Sequence, residues 1–158
     1  MPDGLEKEVR SAFMARIRSK DTALEMRVRR ALHRCGLRYR LHDRTLPGTP
    51  DIVFRRYKVV VEIRGCFWHQ HNDANCARSR LPNTRKEYWE AKLRRNIERD
   101  RANEAELRRL GWNVIIVWEC ECETEDGLSE VSETVVKALE RHGRVGLAPP
   151  GRAPLSDE

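Results

Sequence analysis

The sequence predicts an α/β domain built around a central mixed β-sheet. Its apolar patterns run in the order helix, strands, helix, strand, helix, the order of a layered α/β fold. Val59-Val60-Val61-Glu62-Ile63-Arg64 reads as a buried strand. Trp112-Asn113-Val114-Ile115-Ile116-Val117-Trp118 is apolar on both faces, which predicts a central strand. A chain of 158 residues is most simply one domain with a sizeable core.

Residues 1–20 read as a basic arm, with Phe13, Met14 and Ile17 interleaved among Arg10, Arg16, Arg18 and Lys20. Asp21 is a good N-cap, and Gly36 sits where a helix would end. Leu24, Val28, Ala31, Leu32 and Cys35 supply the buried face between them. Glu25 falls in the first turn, where it complements the helix dipole. Leu37 to Leu41 alternates weakly as a strand. Thr45-Leu46-Pro47-Gly48-Thr49-Pro50 is a turn-rich approach to a short strand from Asp51. Arg55 to Lys58 reads as a hairpin connection. Thr84-Arg85-Lys86-Glu87 reads as a capping box opening a long helix that Gly111 closes. Leu128 to His142 is a final helix. The domain thus spans 21–142, and the Gly- and Pro-rich residues 143–158 predict a disordered tail.

Composition narrows the function. With 39% hydrophobic and 35% charged residues the chain reads as a soluble globular protein. No apolar run approaches the roughly 20 residues of a membrane span. The first residues lack the plan of a signal peptide, so a cytoplasmic location without a membrane partner is expected. The net charge of +6 permits a polyanionic partner such as nucleic acid. Arg far outnumbers Lys, and guanidinium forks match phosphate geometry. Five cysteines, an odd count in a cytosolic context, argue for metal ligation over a disulfide framework.

Two constellations carry chemistry. Asp51 opens one strand and Glu62 lies near the end of the next, so a hairpin can bring them together. Two carboxylates would bind a hard divalent cation through oxygen. Glu62 and Arg64, two apart on a strand, share a face. This is the layout of a PD-(D/E)xK nuclease with Arg64 in place of Lys. The second constellation is Cys66, His71 and Cys76 within one loop, with Cys120 or Cys122 as a fourth ligand. Such a Cys3His set is closed and tetrahedral, the pattern of structural zinc. His69 beside it reads as a further ligand, a surface histidine or a general acid/base. Phe67 and Trp68 read as core aromatics or as wedges that enter DNA.

Taken together, Met14, Lys20-Asp21-Thr22, Glu25, Leu46 to Asp51, Gly65-Cys66-Phe67-Trp68-His69, Pro82 to Arg85, Asn96 to Arg101 and Gly111-Trp112 with Val117-Trp118-Glu119-Cys120 resemble the very short patch repair (Vsr) endonucleases. The resemblance runs from about residue 10 to 122. It implies a restriction-endonuclease-like core with a structural zinc site. It implies nicking of one strand of double-stranded DNA 5′ to the T of a T:G mismatch. The cofactors implied are Mg²⁺, held by Asp51 and the main-chain carbonyl of Ile63, and Zn²⁺ on Cys66, His71, Cys76 and Cys120. It also implies His69 near the scissile phosphate with Glu25 in support. Phe67, Trp68 and Met14 are then intercalating wedges, and Lys92 and Asn96 approach the mispaired bases. A monomer is implied, with a functional link to a cytosine methyltransferase and a repair polymerase.

The chain departs from the family where Ile63-Arg64 replaces the common Thr-His, and in a longer loop before Cys76. The expectation is a hybrid centre, with Asp51 and Glu62 on the metal and Arg64 stabilising the phosphorane. The alternatives are a restriction or modified-DNA nuclease with the same chemistry, and a zinc-stabilised DNA-binding protein without catalysis.

Overall fold

The computed structural model describes residues 21–143. In chain order these form α1 (Ala23–Arg34), β1 (Arg40–Leu41), β2 (Ile52–Phe54), β3 (Val59–Arg64), α2 (Lys86–Arg109), β4 (Asn113–Trp118) and α3 (Glu125–His142). The sheet order is β1-β2-β3-β4. The first three strands pair antiparallel, and β3 pairs parallel with β4. The mixed α/β architecture is therefore the expected one, with α2 inside the crossover that a parallel pair requires. The basic arm, Met14 and residues 144–158 lie outside the described residues. No helix among those described is long and apolar enough to cross a membrane.

One strand placement differs from expectation. β4 is an edge of the described sheet. Its two apolar faces have another cause. Ile115 and Val117 face the main core, with Val28 and Leu32 of α1 and Val131, Val135 and Leu139 of α3. Val114 and Ile116 face a second cluster with Val53, Val60 and Leu107. Helices thus cover both faces of an edge strand, and apolarity reports cover rather than the number of strand neighbours.

Two caps also differ. The N-cap of α1 is Thr22, whose hydroxyl accepts from the Glu25 N–H at 3.2 Å. Asp21 sits one residue earlier in a left-handed conformation, with its carboxylate on Arg29 at 2.6 Å. The start of α2 lies one residue later than a cap at Thr84 would set it: the helix begins at Lys86 after a left-handed Arg85 that makes no side-chain cap bond. The Arg85 guanidinium lies over the Tyr88 ring instead. The strand expected over 37–41 shrinks to Arg40–Leu41.

Gly48 matters to the site. It has φ +72°, and a Cβ there would lie 2.9 Å from the Asn103 amide of α2. Only glycine tolerates both the left-handed backbone and that contact. The turn before Asp51 is thereby held close against α2.

Candidate active site

The β2–β3 hairpin does what its sequence predicts. Ile52 pairs with Val61, so Asp51 and Glu62 follow as neighbours at the open end. The Ile63 N–H donates to Asp51 Oδ2 at 2.7 Å and fixes the carboxylate. Burial pushes the Asp51 carboxyl up to about 6. The Ile63 bond opposes that rise, the Glu25 and Glu62 carboxylates add to it, and His69 counters it. Asp51 is thus held among like charges in a partly desolvated place, an arrangement that a bound cation would relieve. These residues line one open cavity of about 1140 Å³ together with Trp68 and His69.

Glu25 lies in the first turn of α1, as expected, and is buried. It accepts from Arg29 Nη2 at 2.7 Å, from Thr22 Oγ1 at 3.2 Å and from the Asp21 N–H at 3.1 Å. His42, just after β1, completes the group. Its Nε2 lies 2.8 Å from Arg29 Nη2 and 3.5 Å from Glu25 Oε2. Its Nδ1 lies 3.9 Å from Asp51 Oδ1. Asp21, Glu25 and His42 are close enough to hold a cation, but the Arg29 guanidinium already contacts all three and is the cation of that cluster.

Glu62 and Arg64 share a face, as strand alternation requires. Arg64 Nη2 bonds Glu62 Oε2 at 2.5 Å and approaches Glu104 of α2 at 3.5 Å. Its guanidinium lies over Trp118, and Trp118 in turn stacks on His71. Arg64 is buried and satisfied inside the protein.

His69 makes the shortest contact of the loop, Nδ1 to Asp100 Oδ2 at 2.5 Å. Burial pushes the Asp100 carboxyl up, but the His69 bond and charge, with Arg99, outweigh it and hold it below the usual range. Phe67 and Trp68 are half-buried and form an edge-to-face cluster with Trp89 of α2. Lys92 Nζ lies 5.4 Å from the Trp68 ring centre, and the Asn96 amide donates to the Trp68 carbonyl at 3.1 Å. Lys92, Asn96, Asp100 and Glu104 therefore form one row along α2 at intervals of four residues. They engage, in order, the aromatics, the Trp68 carbonyl, His69 and Arg64.

Cys66, His71, Cys76 and Cys120 bring their ligand atoms within 4.8 Å of one another. Three thiols and one imidazole at that spacing fit a tetrahedral soft-metal site. Burial pushes the Cys66 thiol up to about 12, while bonding to His71 and the neighbouring thiols brings Cys76 to about 7 against its own burial. The three thiols compete for protons, a competition that a bound cation removes. Cys122 points elsewhere, into the main core. Glu119–Cys122 is a tight 3-10 turn, so strand alternation does not extend to it and the two thiols part.

Sequence reasoning missed three residues of this site. Asp100 was legible as the next position in the Lys92, Asn96 row. His42 and Arg29 carried only a weak signal: the pairing of Leu41 with Ile52 sets His42 opposite Asp51, where its N–H bonds the Asp51 carbonyl at 3.2 Å.

Comparison with known proteins agrees with this geometry. Residues 2–77 match the family model described as DNA mismatch endonuclease Vsr. The chain is 46% identical over 121 residues to the type II nicking enzyme V.XorIIP of Xanthomonas oryzae, covering 77% of this chain and 87% of the relative. It is 41% identical over 140 residues to the DNA mismatch endonuclease Vsr of Escherichia coli, covering 89% and 86% respectively. It is 44% identical to the type II nicking enzyme V.NmeAIP of Neisseria meningitidis, over 77% of this chain and 84% of that one. With the Asp51 hairpin end, the His69–Asp100 pair and the aromatic loop already in place, these matches establish that the chain belongs to the Vsr family of DNA endonucleases, which nick their substrate.

Proposed function

We propose that the protein is a Mg²⁺-dependent nicking endonuclease that cuts double-stranded DNA 5′ to the T of a T:G mismatch. The observation that carries the reading is the shared cavity: Asp51, pinned by the Ile63 N–H, and His69, pinned by Asp100, open beside the Phe67–Trp68 edge. Asp51 and the Ile63 carbonyl would hold Mg²⁺, and the charge excess around Asp51 fits that role. When bound, the ion neutralises and polarises the scissile phosphate. The zinc set is Cys66, His71, Cys76 and Cys120, and its role is structural.

The chain's own groups do the rest. Asp100 takes the Nδ1–H of His69 and leaves Nε2 to move a proton at the reacting phosphate. Glu25, held by Arg29 and Thr22, stands beside Asp51 in the same cavity. Glu62 would reach the cation through Oε1, since both Arg64 bonds fall on Oε2. Arg64 lines the same cavity and would offset the negative charge that develops on the phosphoryl oxygens. Phe67 and Trp68 enter the duplex beside the mismatch, and Lys92 and Asn96 stand next to them. Met14 is proposed as a further wedge.

The test is nicking of matched duplexes containing T:G, C:G or 5-methyl-C:G in Mg²⁺. Cutting only at T:G is expected. Equal cutting of a paired site would point to the restriction-type alternative, and tight mismatch binding without any cutting to a binding module. Trp68→Ala should weaken mismatch binding by about 1–3 kcal/mol, the usual worth of one stacked base, while metal content at the cysteine site stays unchanged. Competition binding and metal analysis on the same sample check both.

A further inference from the structure

We infer that His42 is a positioning residue for Asp51, acting as a neutral imidazole whose Nδ1–H is aimed at the carboxylate oxygen that Ile63 does not use. The inference deepens the metal-dependent reading above and rests on it.

The tautomer follows from Arg29. A guanidinium nitrogen can only donate. Arg29 Nη2 carries two hydrogens and has two close partners, Glu25 Oε2 at 2.7 Å and His42 Nε2 at 2.8 Å. His42 Nε2 must therefore present its lone pair, and the ring proton sits on Nδ1. The 3.5 Å approach of Nε2 to Glu25 Oε2 is then two acceptors sharing one donor, not a salt bridge. Arg29 is itself held by Asp21 at 2.6 Å and is buried, so the donor that sets the tautomer does not wander.

Nδ1 faces Asp51 Oδ1 at 3.9 Å. That is beyond hydrogen-bond length, so the bond closes only when the carboxylate or the ring shifts by about an ångström. Oδ2 is already committed to the Ile63 N–H. With both donors engaged, the carboxylate plane is fixed and its remaining lone pairs are directed into the cavity. Outer donors of this kind orient a ligating carboxylate and are worth about 10–100-fold in metal affinity or activity. His42 sits in a left-handed backbone conformation, φ +46°.

The experiment compares His42→Ala with His42→Asn. An Asn amide keeps an N–H at the Nδ1 position and tolerates the left-handed backbone. His42→Ala should raise the Mg²⁺ concentration for half-maximal nicking about 10–100-fold, with DNA affinity in Ca²⁺ and zinc content unchanged. His42→Asn should restore most of that loss. Independently of activity, long-range proton–nitrogen spectra of the wild-type imidazole should show the proton on Nδ1. A proton on Nε2, an unchanged Mg²⁺ dependence in His42→Ala, or equal impairment of both variants would overturn the inference. Asp51→Asn is run alongside: if it nicks like wild type, the metal reading itself has failed, whereas an inactive Asp51→Asn beside an unaffected His42→Ala sinks only the role of His42.

Discussion

Asp51→Asn abolishes nicking and at the same time stabilises the Mg²⁺-free protein at pH 8. The loss of activity should reach on the order of 10³-fold or more, because a metal's charge stabilisation of several kcal/mol disappears with its ligand. The gain in stability follows from linkage. Asp51 binds its proton more tightly folded, with a pKa of about 6, than at its ordinary 3.8. Between those pH values the folded state holds more protons than the unfolded one, so stability falls as pH rises. Above pH 6 the ionised carboxylate carries the full penalty, on the order of 1–3 kcal/mol. An uncharged amide escapes it, and the melting temperature at pH 8 should rise by several degrees. At pH 3 the advantage vanishes, since wild-type Asp51 is then protonated in both states. Calorimetry at the two pH values, with nicking assays on the same variant, checks the pair. An Asp51→Asn protein that is inactive and also unstable at pH 8 would mean that the carboxylate is structural. The same shift predicts that wild-type nicking at limiting Mg²⁺ climbs with pH through about 6.

Cys66→Ala should cost most of the fold. Structural zinc contributes an apparent 10–16 kcal/mol in small domains, comparable with the whole 5–15 kcal/mol stability of a typical protein. Cys66 is fully buried and its loop carries Phe67, Trp68 and His69, so loop and core fail together. Zinc content should fall from one per chain towards zero, and a chelator should reproduce the drop in melting temperature on wild type. Cys122→Ala gives the contrast. Its thiol packs in the main core, so zinc content should hold while stability falls only by a small cavity cost. Loss of zinc in Cys122→Ala but not in a Cys120 variant would reverse the assignment.

Much of this was legible in the sequence because it rests on local pattern. The β2–β3 hairpin set Asp51 beside Glu62 through register alone, and the Cys-x4-His-x4-Cys spacing announced a loop that gathers three groups able to hold a metal. The illegible parts depend on distant contacts. Nothing near His42 announces that Arg29, thirteen residues away on a helix, dictates its tautomer. The edge position of β4 was hidden because apolar alternation records what covers a strand, and helices cover both sides. Asp21 looked like the better cap, but its carboxylate is used by Arg29, and Thr22 takes its place.

The row along α2 has a consequence for the proposed choice of cutting position. Lys92 and Glu104 are twelve residues apart, which on a rigid helix is about 18 Å. At one end the row meets the aromatics, and at the other it buttresses the strand that carries Glu62 and Ile63. A fixed length of helix, not a flexible linker, thus holds the aromatic edge in register with the strand beside Asp51. One inserted residue between Asn96 and Asp100 would rotate the two ends by about 100° relative to each other. On the proposed reading, the aromatic edge and the Asp51 hairpin end would then no longer address the same stretch of duplex.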